Sequence, residues 1–287
     1  MKILSNPHTH SLYCDGKSTI AEMADSARSL GFVSLGFSGH GHQNFDVRFS
    51  MFGENTVRYL AELRALKAEC AGRMRIYAGV ERDYYAELNP ADYDYSIGSV
   101  HYLFERDEPE AIRSGECADN PFYAVDGNTE RLCEGVKKLF HGDGLAFAAA
   151  YYELLARHVE ENHPEIIGHF DIVRKNNPVC HFFDERDKAY LRLAKDALER
   201  VAPRGALLEV NTGGMVRGYL PDPYPQRELL MHAKALGMEL IVSSDCHMAG
   251  KLDFAFEDTA RMLTELGFDH VNILSGTPGA MFEKVAL

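Results

Sequence analysis

Residues 6 to 15, NPHTHSLYCD, set His8 and His10 one residue apart and place Asp15 five residues further on. In an extended strand, side chains i and i+2 leave the backbone on the same side, so the two imidazoles point together. Imidazole is the commonest protein metal ligand, and a pair aimed one way can grip one ion. The spacing recurs in GHGH, residues 39 to 42, with His40 and His42, and in SSDCH, residues 243 to 247, with Asp245 and His247. Glu81, His101, His169 and Asp171 are further metal-competent groups. Histidine mixed with carboxylates suits borderline or harder divalent ions such as zinc, manganese or iron. More than four such ligands imply more than one ion, and a carboxylate such as Glu81 can bridge two. Taken singly, each has a plain structural reading: a hydrogen-bonded core histidine for His40 or His169, a helix-start acid for Glu81, a turn former for Asp245. Their common placement argues otherwise. His141, His158, His163, His181, His232 and His270 fall in helices or loops and receive no role.

The elements that must position these groups can be read from periodicity. The runs KILSN, VSLGFSG (33–39), RIYAGVE (75–81), YSIGSVH (95–101), EIIGHFD (165–171), ALLEVNT (206–212) and ELIVSSD (239–245) are short, continuous and apolar. Such runs suit strands buried on both faces of a parallel sheet. Between them lie segments of helical period. STIAEMADSARSLG carries Ile20, Met23, Ala24, Ala27 and Leu30 on one stripe, with Thr19 and Glu22 spaced as a capping box and Gly31 as the stop. NTVRYLAELRALKAECAG, DERDKAYLRLAKDALERVAP, YPQRELLMHAKALG and FEDTARMLTELG repeat the form. Alternating strands and helices imply a parallel sheet with helical crossovers, and seven strands in 287 residues favour an α/β barrel over an open sheet. In a barrel the C-terminal strand ends form the face on which active sites are built. The histidines and acids fall at those ends. Residues 102 to about 150 break the alternation, and the reading is an enlarged βα excursion over that face within a single domain, 1–287.

Composition narrows the function. The chain is 46% hydrophobic and 25% charged, ordinary for a globular protein. Its formal net charge of −13 disfavours a nucleic-acid surface, although divalent cations among carboxylates would still admit an anionic substrate. Cys14, Cys70, Cys117, Cys133, Cys180 and Cys246 show no C-x-x-C spacing, which argues against a disulfide framework and for mostly reduced, inert thiols. No run of 18 apolar residues spans a membrane and no signal-peptide pattern opens the sequence, so a cytoplasmic location is expected.

The motifs PHTHS with Asp15, GH at 39–40, GVE at 79–81, GSVH at 98–101, GHFD at 168–171, EVNTGG at 209–214 and SSDCH at 243–247 stand in a recognisable order. The chain resembles the polymerase and histidinol phosphatase (PHP) family along nearly its whole length. EVNTGGMVRGY followed by PYP is most similar to the histidinol-phosphatase branch. The resemblance implies a distorted (β/α)7 TIM-like barrel with three divalent metal ions, zinc, manganese or iron. By motif, His8, His10, Glu81 and Asp245 would hold the first, Glu81, His101 and His169 the second, and Asp15, His40 and His247 the third. Position 15 is the variable element, since some relatives carry histidine there.

Resemblance and ligand chemistry together point to hydrolysis of a small phosphate monoester, with L-histidinol phosphate and histidine biosynthesis as the expectation. Hydroxide generated between metals sharing Glu81 would be the nucleophile. His42 is the candidate for phosphate contact and general-acid help. Arg174 is the first choice as a bidentate phosphate clamp and Arg217 the second, with a salt bridge the plain alternative for either. Asn211 would orient the substrate or cap the following turn. Competing readings are a PHP phosphoesterase acting on another monoester, a nucleotide or a nucleic-acid 3′ end, and a non-catalytic metal-stabilised domain. Charge counts against the nucleic-acid reading, and the full ligand set counts against the non-catalytic one.

Overall fold

The structure is a computed structural model that describes residues 2–287. Its strands are β1 (Ser5–Asn6), β2 (Ser34–Phe37), β3 (Arg75–Asp83), β4 (Tyr95–Ser99), β5 (Tyr102–Phe104), β6 (Phe122–Ala124), β7 (Ile166–Ile167), β8 (Leu207–Asn211), β9 (Leu240–Ser243), β10 (His270–Leu274) and β11 (Phe282–Ala286). All but β5 and β6 form one sheet in the order β1-β2-β3-β4-β7-β8-β9-β10-β11. Its pairings are parallel except for β10 with β11. Every strand read from the sequence is present. HVNIL and FEKVA, which form β10 and β11, lie beyond the last of them.

The helices follow their sequence signals. Thr19 caps the helix Ile20–Leu30 in a complete capping box with Glu22, and Gly31 ends it at φ 77°, a left-handed turn that glycine adopts freely. The helices Asn55–Glu69, Lys188–Val201, Arg227–Ala235 and Phe256–Glu265 fill the other expected segments. Three histidines without a sequence-assigned role, His141, His163 and His181, end helices in the same left-handed conformation.

Strand alternation builds the interior in two layers. Tyr77, Tyr95, Ile97, Ile166, Leu207, Ile241 and Leu274 form an apolar cluster contributed by β3, β4, β7, β8, β9 and β10. Gly36 and Gly79 leave room for the Tyr95 ring, because a Cβ at either position would collide with it. One or two pleats further along the same faces the residues become polar: Glu81 above Tyr77, Glu209 above Leu207, Ser243 above Ile241. The apolar layer supports the polar one.

Beyond Asn6 the chain runs on to Thr9, which pairs in parallel with Cys246 just past β9. The His10 N–H donates to the Cys246 carbonyl at 2.8 Å, and the Cys246 N–H donates to the His8 carbonyl at 3.0 Å. Between β4 and β7 lie the β5–β6 hairpin and the helices Pro109–Ser114, Thr129–Phe140 and Gly144–Asn162. The last of these is buried along much of one side and occupies the place of a crossover helix, so the irregular part of the excursion ends near residue 143 rather than 150. Among the described residues, no helix is long and apolar enough to cross a membrane.

Candidate metal centre

The polar layer opens into a cavity of about 350 Å³ at the C-terminal ends of the strands. Glu81 stands at its centre. Its Oε2 lies 3.2 Å from His8 Nε2, 3.4 Å from His10 Nε2 and 3.0 Å from the His40 ring, while its Oε1 lies 2.8 Å from His169 Nε2 and 3.3 Å from His101 Nε2. Each oxygen therefore faces a different set of imidazoles. Asp245 Oδ1 sits 3.2 Å from His10 Nε2 and 3.8 Å from His8 Nε2. Asp15 completes the outer side, with its Oδ2 3.1 Å from His247 Nε2 and its Oδ1 3.3 Å from His10 Nδ1 and 3.8 Å from His40 Nε2.

The donors fall into compact groups: His8, His10 and Asp245; His40, Glu81 and His101; His10, Asp15, His40 and His247, with the ligand atoms of each group within 4.8 Å of one another. Two donors bound at about 2.0–2.2 Å and a tetrahedral angle are roughly 3.3–3.6 Å apart, so the observed separations suit shared ions. His8 Nε2, His10 Nε2 and Asp15 Oδ1 are buried and have no hydrogen-bond partner. A buried polar atom left so is costly, and cations held in these groups would satisfy all three atoms.

The electrostatics agree. Burial alone would push His8 down, but Glu209, Glu81 and Asp245 outweigh it and raise the imidazole to about 10. Burial likewise opposes the charge on His101, and Glu81 and Asp83 overcome it. His40 goes the other way, to about 4, because burial and the neighbouring His10 and His101 outweigh Glu81 and Asp15. Burial would raise Glu81, but His40, His8 and His101 hold it well below the usual carboxylate range. The carboxylates thus demand positive charge in the cluster, which bound divalent ions would supply in place of the ligands' protons.

The way the strands end explains how the pairs converge. His8 and His10 flank the bridging Thr9, so the extended i, i+2 rule holds there. The DCH pair meets differently: β9 stops at Ser243, and Asp245 adopts φ 47°, the left-handed region that aspartate tolerates better than most residues. The GHGH pair does not converge. β2 ends at Phe37 and only His40 is held, through its bridge to Glu81. His42 turns aside, its Nε2 3.2 Å from Asn44 Oδ1 and its ring stacked on Phe52.

Two more expectations are corrected. Arg174 is buried and committed to three carboxylates: Asp171 at 3.1 Å, Glu185 at 2.6 Å and Asp222 at 3.1 Å. The 3₁₀ turn Ile172–Arg174 carries it away from the cavity lining, so no edge is free for phosphate. Asn211 donates to Glu209 Oε2 at 3.0 Å and accepts from the Gly213 N–H at 2.7 Å, which is the turn-capping alternative. Arg217 does line the cavity, donating to Asp245 Oδ2 at 2.8 Å. Lys17 and Lys175 line it too, beside Asp46 and Asp126.

Glu209 has no role in the sequence reading, although it is wholly buried. Its Oε1 accepts from His8 Nδ1–H at 2.6 Å and from the Ser243 hydroxyl at 2.6 Å, and its Oε2 accepts from the His169 N–H at 2.6 Å. It fixes the His8 tautomer so that Nε2 faces the cluster. Its signal was an acid at an inward position of an otherwise apolar strand, LLEVN. Asp83 holds the main chain of a neighbouring ligand, accepting from the His101 backbone N–H at 2.7 Å.

Comparison with known proteins gives the same family. A family model described as the PHP domain matches residues 6–213. The chain is 28% identical over 277 residues to "Probable histidinol-phosphatase" of Deinococcus radiodurans, covering 92% of this chain and 94% of that one. It is 25% identical to histidinol-phosphatase of Bacillus subtilis, covering 87% and 96%. The fold is similar, at a TM-score of 0.62 and 18% identity over 95% of this chain and 97% of the other, to histidinol phosphate phosphatase from Lactococcus lactis, whose crystal structure holds zinc, L-histidinol and phosphate.

Proposed function

The chain belongs to the PHP domain family, and from that premise we propose that it is a divalent-metal-dependent hydrolase that splits L-histidinol phosphate into histidinol and phosphate, a step of histidine biosynthesis. One observation carries the reading. Glu81 presents one oxygen to His8, His10 and His40 and the other to His101 and His169, on the floor of a cavity whose wall carries Arg217, Lys175 and Lys17. That arrangement suits a bridging carboxylate beneath an anionic substrate. The relatives' names supply the substrate.

The ligand reading is three ions: His8, His10, Glu81 and Asp245 on the first, Glu81, His101 and His169 on the second, Asp15, His40 and His247 on the third. Bound there, divalent ions supply Lewis acidity toward water and toward phosphoryl oxygens. The protein's own residues do the rest. Glu209 keeps the His8 ring oriented, and Asp83 anchors the His101 backbone. Arg217 Nη2 and Lys175 Nζ are held by Asp245 and Asp126 at 2.8 and 3.0 Å, ready to bind phosphoryl oxygens in a partly closed space. Burial would raise Asp126, but Lys175 and the nearby His101 keep it ionised, at about 2. Phe49, Tyr102 and Asp46 face the same cavity and offer apolar and acidic surface to the rest of the substrate. The whole chain is read as one domain and the strands as a distorted (β/α)7 barrel, a reading supported by the Thr9–Cys246 bridge between the first and last of the seven.

The test is a substrate panel on metal-loaded protein. L-Histidinol phosphate is expected to exceed other small phosphate monoesters and nucleotides in kcat/KM by at least about tenfold, roughly 1.4 kcal/mol of transition-state discrimination. Equal turnover of all monoesters, or preference for a nucleotide, would reject the substrate and leave the hydrolase.

A further inference from the structure

The thiols are the reactive groups that the metal-centred reading leaves over. All six cysteines are free. Cys133 is exposed on the helix Thr129–Phe140, and Cys180 is half-buried at the end of the helix Asn177–Cys180. Their positions differ by 47 in the chain, yet their sulfur atoms are 3.2 Å apart.

They close one end of a seam. Further along it, Lys175 Nζ donates to Asp126 Oδ2 at 3.0 Å and Asn176 Nδ2 donates to the Gly127 carbonyl at 3.0 Å. Ala124, Asp126 and Gly127 line the cavity on one side of the seam, Ile172 and Lys175 on the other. Behind it, Gly135 lets the helix Thr129–Phe140 sit directly on Tyr123 of the hairpin, since a Cβ there would overlap the ring. The two cysteines thus face each other across the irregular excursion and the segment that follows β7.

We propose that Cys133 and Cys180 form a reversible disulfide that staples these two walls of the cavity. The partner is a low-molecular-weight disulfide of the glutathione type. The exposed Cys133 thiolate attacks one of its sulfurs, forming a mixed disulfide and releasing one thiolate. Cys180 then attacks the Cys133 sulfur, forming the protein disulfide and releasing the second thiolate. Two protein thiols are oxidised, one small disulfide is reduced to two thiols, and the two protons pass to the departing thiolates. Bonding requires the sulfurs to close from 3.2 Å to about 2.05 Å, within reach of side-chain rotation and a small helix shift. Exposure of Cys133 keeps the bond open to reduction, as befits a regulatory rather than a structural link.

The experiment incubates the metal-loaded full chain with oxidised glutathione, then counts thiols after denaturation and maps cross-linked peptides without reduction. Thiols are expected to fall from six to four, with Cys133 joined to Cys180 and dithiothreitol reversing the change. Cys133→Ser is expected to abolish the link and Cys117→Ser to leave it intact. Hydrogen exchange across residues 129–140 is expected to slow at least threefold in the oxidised protein. Retention of all six thiols, or a different pairing, overturns the disulfide. A correct cross-link with unchanged exchange overturns the staple.

Discussion

The inner and outer sides of the cluster are built from the same residue types but sit in different surroundings. His8, His10 and Glu81 are 0–1% exposed and rooted in or beside strands, with His8 held by Glu209. Asp15, His40 and His247 are 21%, 15% and 23% exposed and stand past the strand ends, with His247 beside Arg217. The inner side is part of the folded core, so its geometry is set when the sheet forms. The outer side is more open to the cavity, where on the proposed function an ion and a substrate would enter and leave. Orientation by buried partners belongs to the first, and exchange to the second.

Glu81→Gln tests the inner side most severely. Removing the charge that both imidazole sets share is expected to lower kcat/KM at least ~10³-fold, the effect of losing about 4 kcal/mol of metal-centred stabilisation. Phosphate release together with elemental analysis checks it, and a variant within tenfold of the parent would show that Glu81 is not the bridge. Glu209→Gln touches no proposed ion, so its loss should be smaller, about 10–100-fold in metal affinity or activity, as found when a partner orienting a ligand is changed. A chelator competition curve identical to that of the parent would remove Glu209 from the account.

The arginines sharpen the contrast from the outer side. Arg217→Ala is expected to raise KM about tenfold while kcat changes less, if, as proposed, it binds the substrate's phosphoryl group without supplying the chemistry. Arg174→Ala should instead leave KM within about twofold and cost about 3–5 kcal/mol of stability, since it strands Asp171, Asp222 and Glu185 without their cation. Denaturant midpoints and steady-state kinetics on both variants separate the roles, and a reversed pattern would exchange them.

A last effect, seen only as the pH falls, concerns a buried histidine outside the cluster. His158 donates from Nε2 to the Arg82 carbonyl at 2.8 Å and accepts at Nδ1 from Asn162 at 2.8 Å. With no carboxylate bonded to it, burial pushes it down to about 4. The unfolded chain binds this proton near pH 6.5 and the folded protein only near 4, so stability falls as pH drops through that window, by up to about 3 kcal/mol. His158→Gln should lose that part of the pH dependence in urea titrations at pH 7 and pH 4.5. An unchanged difference between the two pH values would assign it to other groups.

Much of this was legible from spacing and periodicity. The apolar runs located seven parallel strands, and the histidines past them located the cluster, because buried strands and metal ligands both demand particular residue types at fixed intervals. His42 and Arg174 were misplaced for a common reason, whereas Asn211 takes the turn-capping alternative. Each of the misplaced pair follows a point where the strand stops, at Phe37 and Ile167, and alternation no longer dictates direction there. Glu209 and Lys175 were invisible for another: their importance lies in contacts across 201 and 49 positions of chain, to His8 and Asp126. The cysteine pair shows the same limit, since spacing argued only against a framework.

The most direct measurement is phosphate release from L-histidinol phosphate by protein stripped with a chelator, then reloaded separately with zinc, manganese and iron. The stripped protein is expected to be inactive, and at least one reloaded form to reach a kcat/KM of ~10⁴ M⁻¹s⁻¹ or more, the lower end of ordinary enzyme efficiency. Full activity without metal, or no release from protein carrying its ions, would contradict the account.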